Sequence, residues 1–304
     1  MGTERIAYKL VRWCGLPWLF REVLFRRSVR ILTFHDPAPD AFRRVLGYLH
    51  RHYGIITLDD HLSGKPLPAK PVVVTLDDGH IGNHALIPVL REFAVRPVVF
   101  VCAGLVGTNR RFWFKHAARS GSSEGLKRIS DAERLRILAA DGFTPLHEYD
   151  VPQALGLEQL KELASVADIG AHTLFHPCLH QCTSTVADAE IVGSKHVLEE
   201  LLGHPVDGFA FPNGDYSSRD AQLVSRAGFR YACTSDHGFN RSGGTFLLKR
   251  ISVDDSGDID ALSVKTSGVW ALLRAVMGRQ RLHGEHPVPV EHPTGTHHET
   301  LTNA

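Results

Sequence analysis

Residues 71–80 read P-V-V-V-T-L-D-D-G-H, an apolar and mostly β-branched run that ends in two adjacent carboxylates, Asp77 and Asp78. Such a run has the composition of a strand buried on both faces. An ionised carboxylate there is costly to desolvate unless something compensates it, and two side by side raise each other's proton affinity. A cation held by one acid, with the other left free to move a proton, accounts for both. Further along, His172-Thr173-Leu174-Phe175-His176 follows a second apolar run, 166–171, and sets two imidazoles four residues apart just past a strand. Two imidazoles and one carboxylate make an open 2-His-1-carboxylate set for a divalent cation. A cation so held lowers the pKa of bound water toward ~7 and polarises a carbonyl, and a second carboxylate can then accept the proton. Either half alone is commonplace: many strands end in a D-D-G turn, and this chain has 19 histidines. Together they supply the minimum for metal-assisted hydrolysis.

Other chemistries have weaker support. His176, Cys178, His180 and Cys182 could form a closed structural zinc site, but alternate residues are tighter than the spacing of zinc ribbons. No Gly-rich phosphate cradle follows a strand, which argues against nucleotide binding. Gly121-Ser122-Ser123-Glu124-Gly125 has the letters of a serine-nucleophile elbow, yet falls in a loop instead of a strand-to-helix turn.

The elements that must position these groups alternate. Strands are expected at 28–34, 55–58, 71–76, 97–102, 166–171, 208–211, 229–234 and 246–253. Helices are expected at 40–52, 83–94, 130–140, 157–165, 186–202, 217–227 and 260–277. Residues 104–150 read as an insertion carrying an aromatic knot, Phe112-Trp113-Phe114, either a lid on the substrate side or a loop anchor. The alternation implies an α/β fold with mostly parallel strands, and the polar clusters come directly after the apolar runs. In parallel α/β architectures the site lies at the carboxyl ends of the strands. That rule gathers His35, Asp77, Asp78, His172, Pro212, Asn213, Gly214 and His237 on one face.

The chain has 304 residues, 43% hydrophobic and 22% charged, with a formal charge of +1. A near-neutral balance argues against a nucleic-acid partner. Residues 1–30 nevertheless carry Arg5, Lys9, Arg12, Arg21, Arg26, Arg27 and Arg30 against Glu4 and Glu22, interleaved with Trp13, Leu16, Trp18, Leu19, Val23 and Leu24. We therefore divide the chain into a basic amphipathic segment at 1–27, a domain at 28–278 and a disordered His-rich tail at 279–304. The first segment either lies on an anionic membrane surface or packs on the domain. No apolar run reaches the ~18 residues of a membrane span, and no secretory signal pattern is present. Five scattered cysteines form no disulfide framework, so a cytoplasmic location is expected, at most peripheral on the cytoplasmic membrane face.

Thr75-Leu76-Asp77-Asp78-Gly79-His80 resembles the T-F-D-D-G-[YH] signature of the polysaccharide deacetylase family, and His172-Thr173-Leu174-Phe175-His176 resembles its H-[ST]-x-x-H motif. The resemblance runs from about Val29 to about Val253. It implies a distorted, incomplete (β/α) barrel with the active site at the C-terminal strand ends. It implies Asp77 as general base and Asp78, His172 and His176 as ligands of one divalent ion, zinc by family habit, with cobalt, nickel or iron as alternatives. The implied reaction is attack of metal-bound water on an acetamide carbonyl, with an acetylated amino-sugar polymer or lipid-linked precursor as substrate. Three departures stand out. The R-x-P-[YF]-G motif resembles Ala210-Phe211-Pro212-Asn213-Gly214, with alanine where an arginine would orient the base. Pro212, Asn213 and Gly214 remain candidate substrate contacts, the Asn213 N–H facing an oxyanion, and Trp113 is a further candidate. The acidic-tryptophan motif is absent. The late L-x-x-H appears as Leu247-Leu248-Lys249-Arg250, which leaves His35 or His237 as candidate general acids. A carbohydrate-binding pseudoenzyme and a hydrolase of non-sugar amides are the alternatives.

Overall fold

Alternate residues of the central strands enter two different cores. The computed structural model describes residues 2–117, 123–241, 245–276 and 285–286. Among these, the main sheet has eight strands: β1 (Arg30–Phe34), β2 (Gly54–Ile55), β3 (Pro71–Leu76), β4 (Val98–Val101), β5 (Asp168–Ala171), β6 (Gly208–Ala210), β8 (Tyr231–Cys233) and β9 (Ile251–Ser252). All pair in parallel, in the order β8-β6-β5-β4-β3-β1-β9, with β2 beside β3. β7 (Tyr216–Ser217) pairs separately with β10 (Glu285–His286). In β3, Val73 joins an inner core with Ile31, Val98, Phe100, Ala210 and Leu248. Val72, Val74 and Leu76 join the larger core under the helices. That two-residue period explains the unbroken apolar run, since both faces of the strand are covered.

The helices follow the expected alternation: α1 (Gly2–Trp13), α2 (Leu16–Leu19), α3 (Pro39–His52), α4 (Leu58–Leu62), α5 (Ile87–Phe93), α6 (Trp113–Ala117), α7 (Ser123–Leu126), α8 (Asp131–Ala140), α9 (Leu157–Ala164), α10 (Ser184–Leu202), α11 (Ser218–Arg226), α12 (Ile259–Ser267) and α13 (Val269–Val276). A π-helical turn, Phe20–Leu24, follows α2. The N-terminal segment is docked: Arg12 pairs with Asp260 at 2.6 Å, and the Tyr8 and Trp270 rings stand 5.5 Å apart.

The segment after residue 245 bridges the two outer strands. The Leu248 N–H donates to the Ala232 carbonyl (2.8 Å) and the Thr234 N–H to the Leu248 carbonyl (2.9 Å), while Ile251 and Ser252 pair with Leu32 and Thr33 of β1. The sheet is thus curled into a distorted, incomplete (β/α) barrel.

Several expected elements differ. The run at 246–253 is not one strand: Leu247 adopts φ +57° at its start, Leu248 bonds to β8, and only after Lys249 and Arg250 does the chain pair with β1. Thr57 and Leu58 do not extend β2: the Thr57 hydroxyl accepts from the Asp60 N–H and the Asp60 carboxylate from the Thr57 N–H, a capping box that starts α4. The closing helix at 260–277 is divided at Gly268, whose φ of +102° ends α12. The insertion holds α6, α7 and α8, and the serine-elbow letters lie partly outside the described residues and partly in α7. Of the tail, residues 285–286 are a short strand, contrary to the expectation of disorder there. Its remainder lies outside the described residues.

Candidate metal centre

A regular strand would send Asp77 and Asp78 to opposite faces. The inner-face period of β3 continues from Val73 through Thr75 to Asp77, whereas Asp78 has φ +74° and Gly79 φ +73°, which breaks the pleat. A side chain at Gly79 would collide with Val101 at 2.8 Å, so glycine is required on both counts. The turn brings Asp78 toward the end of β5. There, Thr173 (φ +65°) and His176 (φ +59°) are also left-handed, as is Asn213 (φ +57°) after β6. Left-handed non-glycine residues are costly and persist only where their surroundings over-determine them. Four of them border this one mouth.

Among the described residues, a single group of His, Cys, Asp or Glu atoms could share a cation: Asp78, His172 and His176, all buried, with ligand atoms within 4.8 Å of one another. Asp78 Oδ1 lies 3.5 Å from His172 Nε2 and 3.3 Å from His176 Nε2. It is buried with no hydrogen-bond partner among the described residues. The His172 Nδ1–H donates to the Ala210 carbonyl at 2.7 Å, which turns the bare Nε2 toward Asp78. Lone pairs converging on an orphaned carboxylate oxygen call for a positive centre. Ligands ~2.0–2.1 Å from a tetrahedral cation stand about 3.3 Å apart, so the donor set fits. Burial pushes His176 down to about 3 and keeps it a neutral imidazole, the ligating form. Burial also opposes charge on His172, but Asp77 and Asp78 outweigh it and push that group up. Asp78 is held well below the usual carboxylate range, because contacts with His172 and His80 overcome its burial.

Neighbouring groups fix the ligands. His80 Nε2 meets the other Asp78 oxygen at 3.0 Å. The Thr173 hydroxyl accepts from the His176 N–H at 3.0 Å. The indole N–H of Trp113 donates to the His176 carbonyl at 2.7 Å. Trp113 is itself only 2% exposed, which corrects its assignment as a sugar contact: it anchors a ligand's backbone. Glu190 of α10 accepts the Leu174 and Phe175 N–H groups at 2.8 and 3.0 Å.

Asp77 has a partner that the sequence motifs did not disclose. Arg250, fully buried between the two halves of the barrel-closing segment, donates from Nη1 and Nη2 to both Asp77 oxygens, each at 2.7 Å. Its remaining donors reach the Thr234 carbonyl and the Thr75 hydroxyl. Burial would raise Asp77, but Arg250, His172 and His35 hold it below the usual carboxylate value. The expected arginine of the third motif is therefore supplied by the strand end where a late histidine was sought. The available signal was an arginine inside the expected strand at 246–253.

His35, exposed beyond β1, is close enough to act on the Asp77 charge. His237 is half-buried beyond β8. Pro212 and Gly214 are buried and Asn213 is half-buried. The alternating cysteines are not assembled as a zinc site: Cys178 Sγ accepts from Asn213 Nδ2, and Cys182 Sγ donates to the Cys178 carbonyl.

Residues 64–232 match the family model described as polysaccharide deacetylase. The Bacillus subtilis protein YxkH, named provisionally as a polysaccharide deacetylase, is 20% identical over 187 residues, 60% of this chain and 52% of that protein. The chain thus spans about half the length of this curated relative. The Streptococcus pyogenes deacetylase PplD, solved with acetate, is 22% identical with a TM-score of 0.55, over 75% of this chain and 93% of that one. IcaB from Ammonifex degensii gives 21% and 0.56, over 79% and 97%. BC0361, a polysaccharide deacetylase from Bacillus cereus, gives 17% and 0.56, over 80% and 70%. At such identities the likeness to the solved structures is one of fold.

Proposed function

The chain belongs to the polysaccharide deacetylase family, and from that premise we propose that it is a metal-dependent hydrolase removing acetyl groups, chiefly N-acetyl, from an amino-sugar glycan. The observation that carries this is the juxtaposition of a cation-ready triad with a separate, arginine-paired carboxylate. Asp78, His172 and His176 would hold a divalent ion, zinc in the first instance, which when bound would supply Lewis acidity toward an acyl carbonyl and toward water. Asp77 stays ionised under Arg250 and accepts the proton, its carboxylate retaining lone pairs beyond those used by the guanidinium. The turn at Pro212–Gly214 supports the Asn213 N–H as a donor to the developing oxyanion. His35, whose charge acts on Asp77, and His237 are the candidate donors of a proton to the leaving amine.

A binding-only pseudoenzyme was suggested by the missing third-motif arginine and the missing late histidine; Arg250 answers the first of these and leaves the second. The test is acetate release from acetylated chito-oligosaccharides, polymeric N-acetylglucosamine and an aryl acetate, with metal content measured in parallel. We expect activity on the glycans that a chelator abolishes and metal restores. Asp78→Ala should lose both metal and activity, while Cys178→Ser with Cys182→Ser keeps both. Full metal occupancy in Asp78→Ala would refute the assigned site. Metal retention with no acetate release from any glycan would refute the activity.

A further inference from the structure

The docking of α1 leaves one side of the N-terminal segment covered and the other bare. Among the described residues, fifteen large apolar side chains are exposed, and eight of them fall between Ile6 and Leu24: Ile6, Leu10, Trp13, Leu16, Trp18, Leu19, Val23 and Leu24. Ile6, Leu10 and Trp13 lie on one helical face at i, i+4 and i+7, exposed by 61%, 69% and 73%. A monomer scatters exposed apolar residues singly, so a concentration of this kind marks a surface that something covers.

Charge identifies the occupant. The inward cations of this segment are paired or buried. Arg12 is on Asp260, Arg21 is on Glu22, and Arg30 donates to the carbonyls of Thr266, Ser28 and Phe25. Lys9, Arg26 and Arg27 are exposed and enter no ion pair among the described residues. Glu22, which would oppose them, is occupied by Arg21 and Lys70. The outward face is therefore apolar with unpaired positive charge, including two indoles, the composition that seats a helix at a lipid headgroup boundary. No described helix is long and apolar enough to cross a membrane.

We propose that residues 6–27 form a fixed docking face for an anionic lipid bilayer, on which the protein lies without spanning it. The segment is not a tether. Arg21 reaches the Tyr48 hydroxyl from within the fold, and the Phe25 ring packs 4.7 Å from that of Phe239. Docking through it therefore sets the orientation of the whole barrel. Deleting the segment would expose core, so point substitutions are the cleaner test.

The full chain is incubated with vesicles of phosphatidylcholine alone or mixed with phosphatidylglycerol, and pelleting and tryptophan emission are recorded. Wild type should pellet with the mixed vesicles, with a blue shift from Trp13 and Trp18, and release in high salt. Lys9→Gln combined with Arg26→Gln and Arg27→Gln should bind about a hundredfold more weakly, each cation near such a surface contributing about fivefold. Leu10→Ser with Trp13→Ser should abolish the shift, with circular dichroism confirming that the fold is kept. Failure of wild type to pellet with the mixed vesicles would overturn the proposal. So would a concentration-dependent dimer that buries both indoles and is unaffected by vesicles, since a second copy would then be the occupant. Neither outcome touches the deacetylase assignment, which is read from acetate release.

Discussion

Replacing Arg250 by Met keeps the approximate bulk of the side chain and removes both hydrogen bonds to Asp77. In the folded protein the carboxylate is 4% exposed and both its oxygens are held by the guanidinium at 2.7 Å. Breaking a buried pair from one side costs about 3–5 kcal/mol, because the surviving charge is left uncompensated. Asp77 escapes part of that cost by taking up a proton. Burial is the largest influence on it and acts upward, against which Arg250 is the first of the opposing groups. Each pKa unit corresponds to about 1.4 kcal/mol, so losing about 3 kcal/mol of support for the charged form raises Asp77 by about two pH units. The sign follows directly. In wild type the base is ionised across the neutral range, and its contribution to stability is lost only as pH falls through its depressed folded value. In Arg250→Met the acid limb of kcat/KM moves upward and stability at neutral pH drops. Because Asp77 starts below the usual carboxylate value, a rise of about two units leaves it largely ionised at pH 7, so the loss of acetate release is concentrated on the acid side and approaches about a hundredfold well below the shifted limb. Assays of acetate release from pH 5 to 9, beside urea denaturation, read both effects. A second variant separates positioning from folding: Arg250→Ala with Ala210→Arg returns the cation from the third-motif position, whose alanine shares the inner core, and should recover much of the rate. An unchanged pH profile in Arg250→Met would refute the claim that Asp77 depends on this partner.

Trp113→Phe removes the indole N–H from the His176 carbonyl while keeping a ring in the cavity. Metal affinity, measured by competition with a chromogenic chelator, should weaken about tenfold, with KM for the glycan unchanged; a raised KM at normal metal affinity would restore the sugar-contact role. Glu190 is half-buried, and desolvation there raises its carboxyl from 4.5 to about 7. A carboxyl whose folded pKa exceeds its unfolded value contributes stability below pH 4.5 that is lost as pH rises through 7, on the order of 3 kcal/mol in all. Glu190→Gln, whose amide oxygen can still accept the Leu174 and Phe175 N–H groups, should flatten this dependence, and identical urea midpoints for the two proteins at pH 5 and pH 8 would contradict it.

What could be read from the chain followed from period and position. The two-residue alternation and the carboxyl-end rule located the strands carrying Asp77, Asp78 and His172, and the polar clusters at their ends do face one mouth. Local backbone geometry was not legible in this way. Nothing in the run F-L-L-K-R-I-S-V says that Leu247 turns left-handed, or in Ile55–Leu58 that Thr57 bonds Asp60 and starts a helix where a strand seemed to continue. Trp113 was misjudged because an aromatic residue beside glycines and arginines reads as a binding surface, whereas its N–H is spent on a backbone carbonyl. Arg250 escaped because a motif search looks for a cation at a sequence position, and electrostatics requires it only at a place. Two strands far apart in the chain can fill that place, and only the closed sheet tells which one does.

The bridge between β8 and β1 gives the order of events during synthesis a chemical meaning. Most of the barrel, with both acids and both imidazoles, precedes it in the chain; the guanidinium that pairs with Asp77 arrives only just before β9, the last strand of the main sheet. On the proposed chemistry, a nascent or truncated chain stopping before residue 250 would leave Asp77 without its counter-charge, and its carboxyl would hold a proton to higher pH. Hydrolytic competence would then await the seating of β9 against β1.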